Sequence, residues 1–199
     1  MRRHIASADR KAAPAEPSPS MDASPHSVLA ARDREPYAAH DNGQEWLVSW
    51  HPPAGAPPGK MHGATAICVA TAGSVVLVRA DGGTWSLPGG RPEPGESWRE
   101  TLHREVREEA CAVVTGATLL GYGRGECLRG HEAGLVLVRS LWRAEVVLLP
   151  WEPDFEMAGR REFPATEALD FVRDALPGGH RRIITRLFAE AGLATGRDA

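Results

Sequence analysis

The order of apolar segments along this chain predicts an α+β fold. Strand-like runs come first, one helix with a sharp beginning follows, further strand-like runs come next, and two amphipathic segments end the chain. Grouped strands and helices, without regular alternation, favour a mixed arrangement of sheet and helices. At 199 residues and 42% hydrophobic composition, the chain can bury a sizeable core.

The first forty residues predict a disordered tail. They are rich in Ala, Pro, Ser and charged residues and show no sustained apolar period. The basic start Met1-Arg2-Arg3 lacks the apolar run of a signal peptide. We therefore expect residues 1–40 to form the tail and residues 41–199 to form one folded domain.

Three strand-like segments precede the helix. Residues 46–50 alternate between Trp or Val and polar positions, as a half-buried strand does. Apolar runs at 64–71 and 74–79 flank Ala72-Gly73, which indicates a hairpin. Residues 81–83 form a second turn, so the chain enters the helix from a sheet.

The helix begins near Trp98. Ser97 and Glu100 have the spacing of a capping box, and Pro94-Gly95 provides the turn before it.

Three carboxylates on this helix, those of Glu105, Glu108 and Glu109, lie within one turn of each other. Glu109 is about 40° and Glu105 about 80° from the centre of the apolar stripe on a helical wheel. Carboxylates so close to a core-facing stripe are costly unless they are paired or bind metal. The cluster therefore predicts a site for Mg²⁺ or Mn²⁺. The alternative is a charged helix face held by surface ion pairs.

The helix and its preceding loop resemble the Nudix box, G-x5-E-x7-R-E-U-x-E-E-x-G-U, where U is a bulky aliphatic residue. The chain departs from it at Cys111, where the family has its final Gly, and at Ala112, where a larger aliphatic residue is usual. The resemblance implies a helix end at positive φ, where the Cβ of Cys111 would carry a penalty on the order of 1 kcal/mol. The matching positions, with correct gaps, are Gly90, Glu96, Arg104, Glu105, Val106, Glu108 and Glu109. The resemblance implies a Nudix-like α/β/α sandwich with a mixed β-sheet.

The resemblance also implies roles for the box residues. Glu105, Glu108 and Glu109 are the catalytic carboxylates, and Glu96 supports them by pairing with Arg104. The implied metal ligands are the Gly90 carbonyl and the carboxylates of Glu105, Glu108 and Glu109. Mg²⁺ is the implied cofactor, with Mn²⁺ as a substitute.

Many relatives use a further acid outside the box as a ligand or base. Glu152, Asp154 and Glu156 are the candidates in this chain, and we choose Glu156. The alternative for Glu156 is a solvated loop acid.

The segments after the helix predict three more strands and two helices. The strand-like runs are 118–122, 134–141 and 143–149, and glycine-rich residues 121–134 predict a mobile loop. The two helices follow Pro164 and span 181–191, each with an apolar face.

Composition limits the function classes. A net charge of −3 gives no support to nucleic acid or anionic membrane as a partner, and no segment is long and apolar enough to span a membrane. Cys68, Cys111 and Cys127 lack metal-ligand spacing and fit a reducing cytoplasm. We expect a cytoplasmic protein and leave a homodimer open.

The resemblance implies a Mg²⁺-dependent hydrolase that cleaves the phosphoanhydride of a nucleoside diphosphate linked to another moiety. The residues around 125–130 lack the motifs that mark relatives with specialised substrates, so a nucleoside triphosphate or nucleotide-sugar is the expected substrate. The alternative is a non-catalytic Nudix-fold domain that senses such a ligand or docks a partner. Domains of that kind typically lose box acids, whereas this chain keeps them all. An isoprenoid-diphosphate isomerase shares the fold, but nothing outside the box supports it.

Overall fold

A computed structural model describes residues 35–152, 157–176 and 180–193. The strands are β1 Tyr37–Asp41, β2 Gln44–His51, β3 Lys60–Ala70, β4 Val75–Ala80, β5 Gly89–Gly90, β6 Ala112–Arg129, β7 Val136–Leu148 and β8 Met157–Phe163. The helices are α1 Trp98–Ala110, α2 Ala165–Ala175 and α3 His180–Glu190. No helix within these ranges has the length and apolarity needed to cross a membrane.

In the described part of the chain, these strands form one mixed sheet of order β1-β2-β6-β7-β3-β4-β8, with β5 also paired to β3. The β3–β7 pair is parallel and the other pairs are antiparallel. Helix α1 packs Leu102, Val106 and Ala110 into one core, whereas α2 and α3 contribute to a second core. This layering confirms the predicted α/β/α sandwich.

The predicted boundary of the tail is wrong for residues 37–40. They belong to β1, which pairs with β2 from Tyr37↔Val48 to Asp41↔Gln44, and Ala39 is buried. Asn42 and Gly43 both have positive φ, 49° and 73°, as a tight hairpin turn requires. The Asn-Gly pair is the sequence signal for this hairpin, and the edge strand it adds is too short to show a clear apolar period. Residues 1–34 lie outside the described part.

The predicted mobile loop at 121–134 is also wrong for residues 121–129, because β6 continues through Arg129 and pairs with β2 and β7. A turn is present only at residues 130–134. The glycines there reflect close packing. A Cβ on Gly121 would lie 2.5 Å from the Trp50 ring, and one on Gly125 would lie 3.3 Å from the Trp46 ring. Glycine in a strand interior often marks such a close approach.

Helix α1 has the predicted beginning and end. Ser97 accepts from the Glu100 amide and Glu100 accepts from the Ser97 amide, which completes the capping box. Cys111 lies in the left-handed region at φ 42° and ψ 53°, as predicted for a position that favours Gly. The guanidinium of Arg160 donates to the carbonyls of Ala110 and Cys111 at 2.8 and 3.0 Å. A strand on the sheet edge therefore fixes the end of the helix.

Candidate active site

The first half of the box forms a closed clamp between loop and helix. Arg104 Nε and Nη2 donate to the two oxygens of Glu96 at 2.7 and 3.0 Å. Glu96 also accepts from the Thr101 hydroxyl and the Glu93 amide, while Arg104 donates to the Arg91 carbonyl at 2.7 Å. The hydrogen bond from Arg104 is the largest cause that lowers the pKa of Glu96 to about 2. The clamp therefore stays charged at any physiological pH.

Glu105 is buried beside Gly90. A Cβ on Gly90 would overlap the Glu105 carboxylate, so the close approach of loop and acid requires glycine. Glu105 Oε1 lies 3.0 Å from Arg104 Nη1, which also donates to Glu108 Oε2 at 3.0 Å. Burial raises the pKa of Glu105, and the nearby Arg104 only partly offsets it. The negative charge of Glu105 is thus only partly compensated by Arg104.

Glu109 reaches the same loop from the next turn of the helix. Its Oε2 accepts from the Gly89 amide at 2.8 Å. Burial raises its pKa to about 7, with the neighbouring charge of Glu105 acting in the same direction. The buried thiol of Cys68 responds in turn, because burial and then the Glu109 charge raise its pKa to about 12. Cys68 is therefore a neutral packing residue beside the acids.

The structure brings Gly89, Gly90, Glu105 and Glu109 together, as the box predicts. Within residues 35–152, 157–176 and 180–193, no three acid, His or Cys side chains converge closely enough to hold a metal ion. Two of the acids contact Arg104 instead, and the third contacts a backbone amide. The donor chemistry nevertheless fits a hard divalent cation, because buried carboxylates with raised pKa values gain most from a nearby positive charge.

The acid predicted outside the box is not located. Glu156 and Asp154 lie outside the described residues, and Glu152 is exposed. The role of Glu156 stays a prediction.

A cleft of about 310 Å³ opens beside the box glycines and crosses the sheet towards β2 and α3. Arg139 of β7 is half-buried in its wall and was missed by sequence reasoning. The available signal was a charged residue inside the otherwise apolar run 134–141. Asp41, Gln44, His62, Arg91 and Glu132 also line the cleft.

Comparison with known proteins agrees with this geometry. The NUDIX domain family model matches residues 60–187. The crystal structure of the Bacillus subtilis pyrophosphohydrolase BsRppH is similar, with a TM-score of 0.55 and 21% identity over 78% of this chain and 98% of that one. A NUDIX hydrolase from Nitrosomonas europaea has a TM-score of 0.50 and 22% identity over 71% of this chain and 95% of that one. At these identities the two structures establish the fold alone.

A curated relative matches a shorter segment. The 8-oxo-dGDP phosphatase NUDT18 of Mus musculus is 55% identical over 38 residues, which are 19% of this chain and 12% of that protein. Since the family model covers well over half of the chain, the protein belongs to the Nudix hydrolase family. The predicted family and enzyme class are thereby confirmed. Nudix hydrolases as a group use divalent metals.

Proposed function

We propose that the protein is a Mg²⁺-dependent pyrophosphohydrolase that cleaves the phosphoanhydride of a nucleoside diphosphate linked to another moiety. The observation that carries this proposal is the contrast in charge compensation at the box. Burial raises the pKa values of Glu105 and Glu109, whereas the hydrogen bonds from Arg104 lower the pKa of Glu96. Both buried acids interact electrostatically with Arg139, which lines the cleft. A structural role would favour apolar or paired residues at these positions.

Each box residue has a distinct task in this proposal. Glu105, Glu108 and Glu109, with the Gly90 carbonyl, would hold the metal. Bound Mg²⁺ supplies neutralisation of phosphate charge and a lowered pKa for water. Glu96 and Arg104 keep the Gly90 loop fixed against α1, so that loop and acids stay in register. Mn²⁺ should replace Mg²⁺ because both prefer oxygen ligands.

The cleft supports a nucleotide-like substrate. It is large enough to take a small ligand and combines apolar and charged lining residues. We propose a nucleoside triphosphate or a nucleotide-sugar. The short similarity to an 8-oxo-dGDP phosphatase adds nucleoside diphosphates with oxidised bases to the candidates. We also propose that the protein is cytoplasmic, that it has no nucleic-acid or membrane partner, and that the domain extends to residue 199. A homodimer is left open.

The test is a substrate screen of the purified chain with Mg²⁺. Nucleoside triphosphates, oxidised and normal nucleoside diphosphates, and nucleotide-sugars are compared by the release of phosphate, pyrophosphate and nucleoside monophosphate. We expect hydrolysis of at least one class, dependent on Mg²⁺ and lost in Glu109→Gln. Binding of a nucleotide without turnover in any class would instead support the non-catalytic ligand-sensing domain.

A further inference from the structure

Arg139 is a cation in the cleft that forms no direct ion pair with a described residue. Its Nη1 donates to the Thr65 hydroxyl at 2.9 Å and lies 3.5 Å from the Ala64 carbonyl oxygen. Among the described residues, no carboxylate lies within ion-pair distance of its guanidinium. Both strand neighbours, Val138 and Ser140, are buried. The guanidinium is thus held on a rigid strand, and most of its donor positions are unused.

The fold makes space for this guanidinium. A Cβ on Gly63 would lie 2.8 Å from both Cζ and Nη2 of Arg139, and it would also overlap the Gly90 carbonyl oxygen. Arg139 therefore stands beside the first residue of the box. Burial lowers the pKa of Arg139, although Glu105 and Glu109 act against that shift. Glu105 and Glu109 thus offset the burial of this cation only in part and at a distance, and packing alone does not explain its cost.

A second arginine and a neutral histidine share this wall of the cleft. Arg91 follows Gly90 and is exposed, and His62 is half-buried near both arginines. Burial lowers the pKa of His62 to about 4, and the charges of Arg139 and Arg91 add to this effect. The acids that line the cleft are Asp41 and Glu132, and neither forms an ion pair with Arg139. Glu132 accepts a hydrogen bond from the Gln44 amide at 2.8 Å. The wall therefore offers two permanent cations to a ligand.

We propose that Arg139, with Arg91, forms an anion subsite that binds one phosphate of the substrate, and that this subsite works without a metal ion. A planar guanidinium with free donors matches two phosphate oxygens at once, which a lysine cannot do. The position beside Gly90 places the bound phosphate next to the box acids. The assignment of the anion to a substrate phosphate rests on the proposed function, whereas the subsite itself does not.

Inorganic pyrophosphate in excess EDTA is the probe, with its affinity measured by calorimetry. We expect wild-type protein to bind it, and Arg139→Gln to bind at least tenfold more weakly. Arg139→Lys keeps the charge but loses the fork, so its affinity should fall at least threefold. Arg129→Gln is the matched control, because it removes the same charge from a side chain that is 85% exposed and does not line the cleft. Its affinity should stay within twofold of wild type.

Three results would overturn the subsite: no binding by wild type, wild-type affinity in Arg139→Gln, or an equal loss in Arg129→Gln. If Arg139→Gln fails to fold by circular dichroism, Arg139→Lys decides, and wild-type affinity in that variant refutes the proposal. Hydrolysis separates the two proposals. If Arg139→Gln turns over substrate with an unchanged KM, the proposed hydrolase function is supported and the proposed subsite is refuted. If pyrophosphate binding depends on Arg139 but no substrate is hydrolysed, the subsite is supported and the proposed hydrolase function is refuted.

Discussion

The two halves of the Nudix box shift the pKa values of their carboxylates in opposite directions. Glu96, at the start, has an arginine fork, a hydroxyl and a backbone amide as partners, and its pKa falls to about 2. Glu109, near the end, accepts one hydrogen bond from the described residues, that of the Gly89 amide, and burial raises its pKa to about 7. Both acids contact the same loop and helix, so the difference lies in their compensation.

This contrast separates an acid that is fully paired within the fold from the acid that we propose binds the metal. Arg104 carries the first half, since it contacts Glu96, Glu105 and Glu108 at the same time. Glu109 does not contact Arg104, and its charge is therefore less compensated than that of Glu96. Removal of an acid should therefore have opposite effects on folding at the two ends of the box.

The largest expected effect is on turnover. Glu109→Gln and Glu105→Gln should each lower kcat by on the order of 10²-fold or more, as the loss of a metal ligand at a phosphate-activating site does. Unfolding of the metal-free variants should show equal or higher stability, because like-charge repulsion and burial of charge are relieved. Steady-state kinetics and thermal melts check both parts. Wild-type turnover in Glu109→Gln would contradict the catalytic assignment.

Glu96→Gln should show the opposite pattern. The variant loses the charged fork to Arg104 and should be less stable by on the order of 1–2 kcal/mol. Its kcat should fall by less than that of Glu109→Gln, because Glu96 acts through the position of the loop. Urea titration and kinetics of the two variants side by side are the measurement. If Glu96→Gln is as stable as wild type, the Glu96–Arg104 pair does not stabilise the fold.

The raised pKa of Glu109 predicts a pH dependence of metal-free stability. The ordinary value of 4.5 rises to about 7 in the folded protein, so the folded state binds this proton more tightly. Stability from this group is fully present below about pH 4.5 and is lost as the pH rises through about 7. Subtraction of the Glu109→Gln curve from the wild-type curve isolates this change. A flat difference curve would show that Glu109 is not destabilised by burial.

The smallest effect concerns Cys111, at the end of the same helix. Its φ of 42° costs a residue with a Cβ more than it costs Gly. Cys111→Gly should therefore leave Tm unchanged or raise it slightly, as measured by calorimetry. A clear drop in Tm would mean that packing of the buried thiol outweighs the backbone strain.

The sequence predicts α1 well because its signals are local. The capping box at Ser97, the apolar stripe and the αL end at Cys111 depend on residues close in the chain, and all three are present. The box predicts which acids reach the loop for a different reason. Seven positions with fixed gaps constrain both the helix and the turn before it.

Long-range packing explains the failures. Gly121 and Gly125 indicate a loop when taken alone, yet they lie in β6 because the rings of Trp50 and Trp46 pack against them. Arg139 has no sequence motif, and its place beside Gly90 arises only when β7 pairs with β3 across the sheet. These positions therefore depend on the register of the sheet, which the local sequence pattern does not predict.

The most direct test of the account is the effect of Mg²⁺ on thermal stability in three proteins. A ligand that binds only the folded state raises Tm, and the rise grows with the logarithm of its concentration above its Kd. We expect millimolar Mg²⁺ to raise the Tm of wild type and Glu96→Gln, and to leave that of Glu109→Gln unchanged. An equal rise in wild type and Glu109→Gln, or no rise in wild type, would contradict the claim that the under-compensated acids form a metal site.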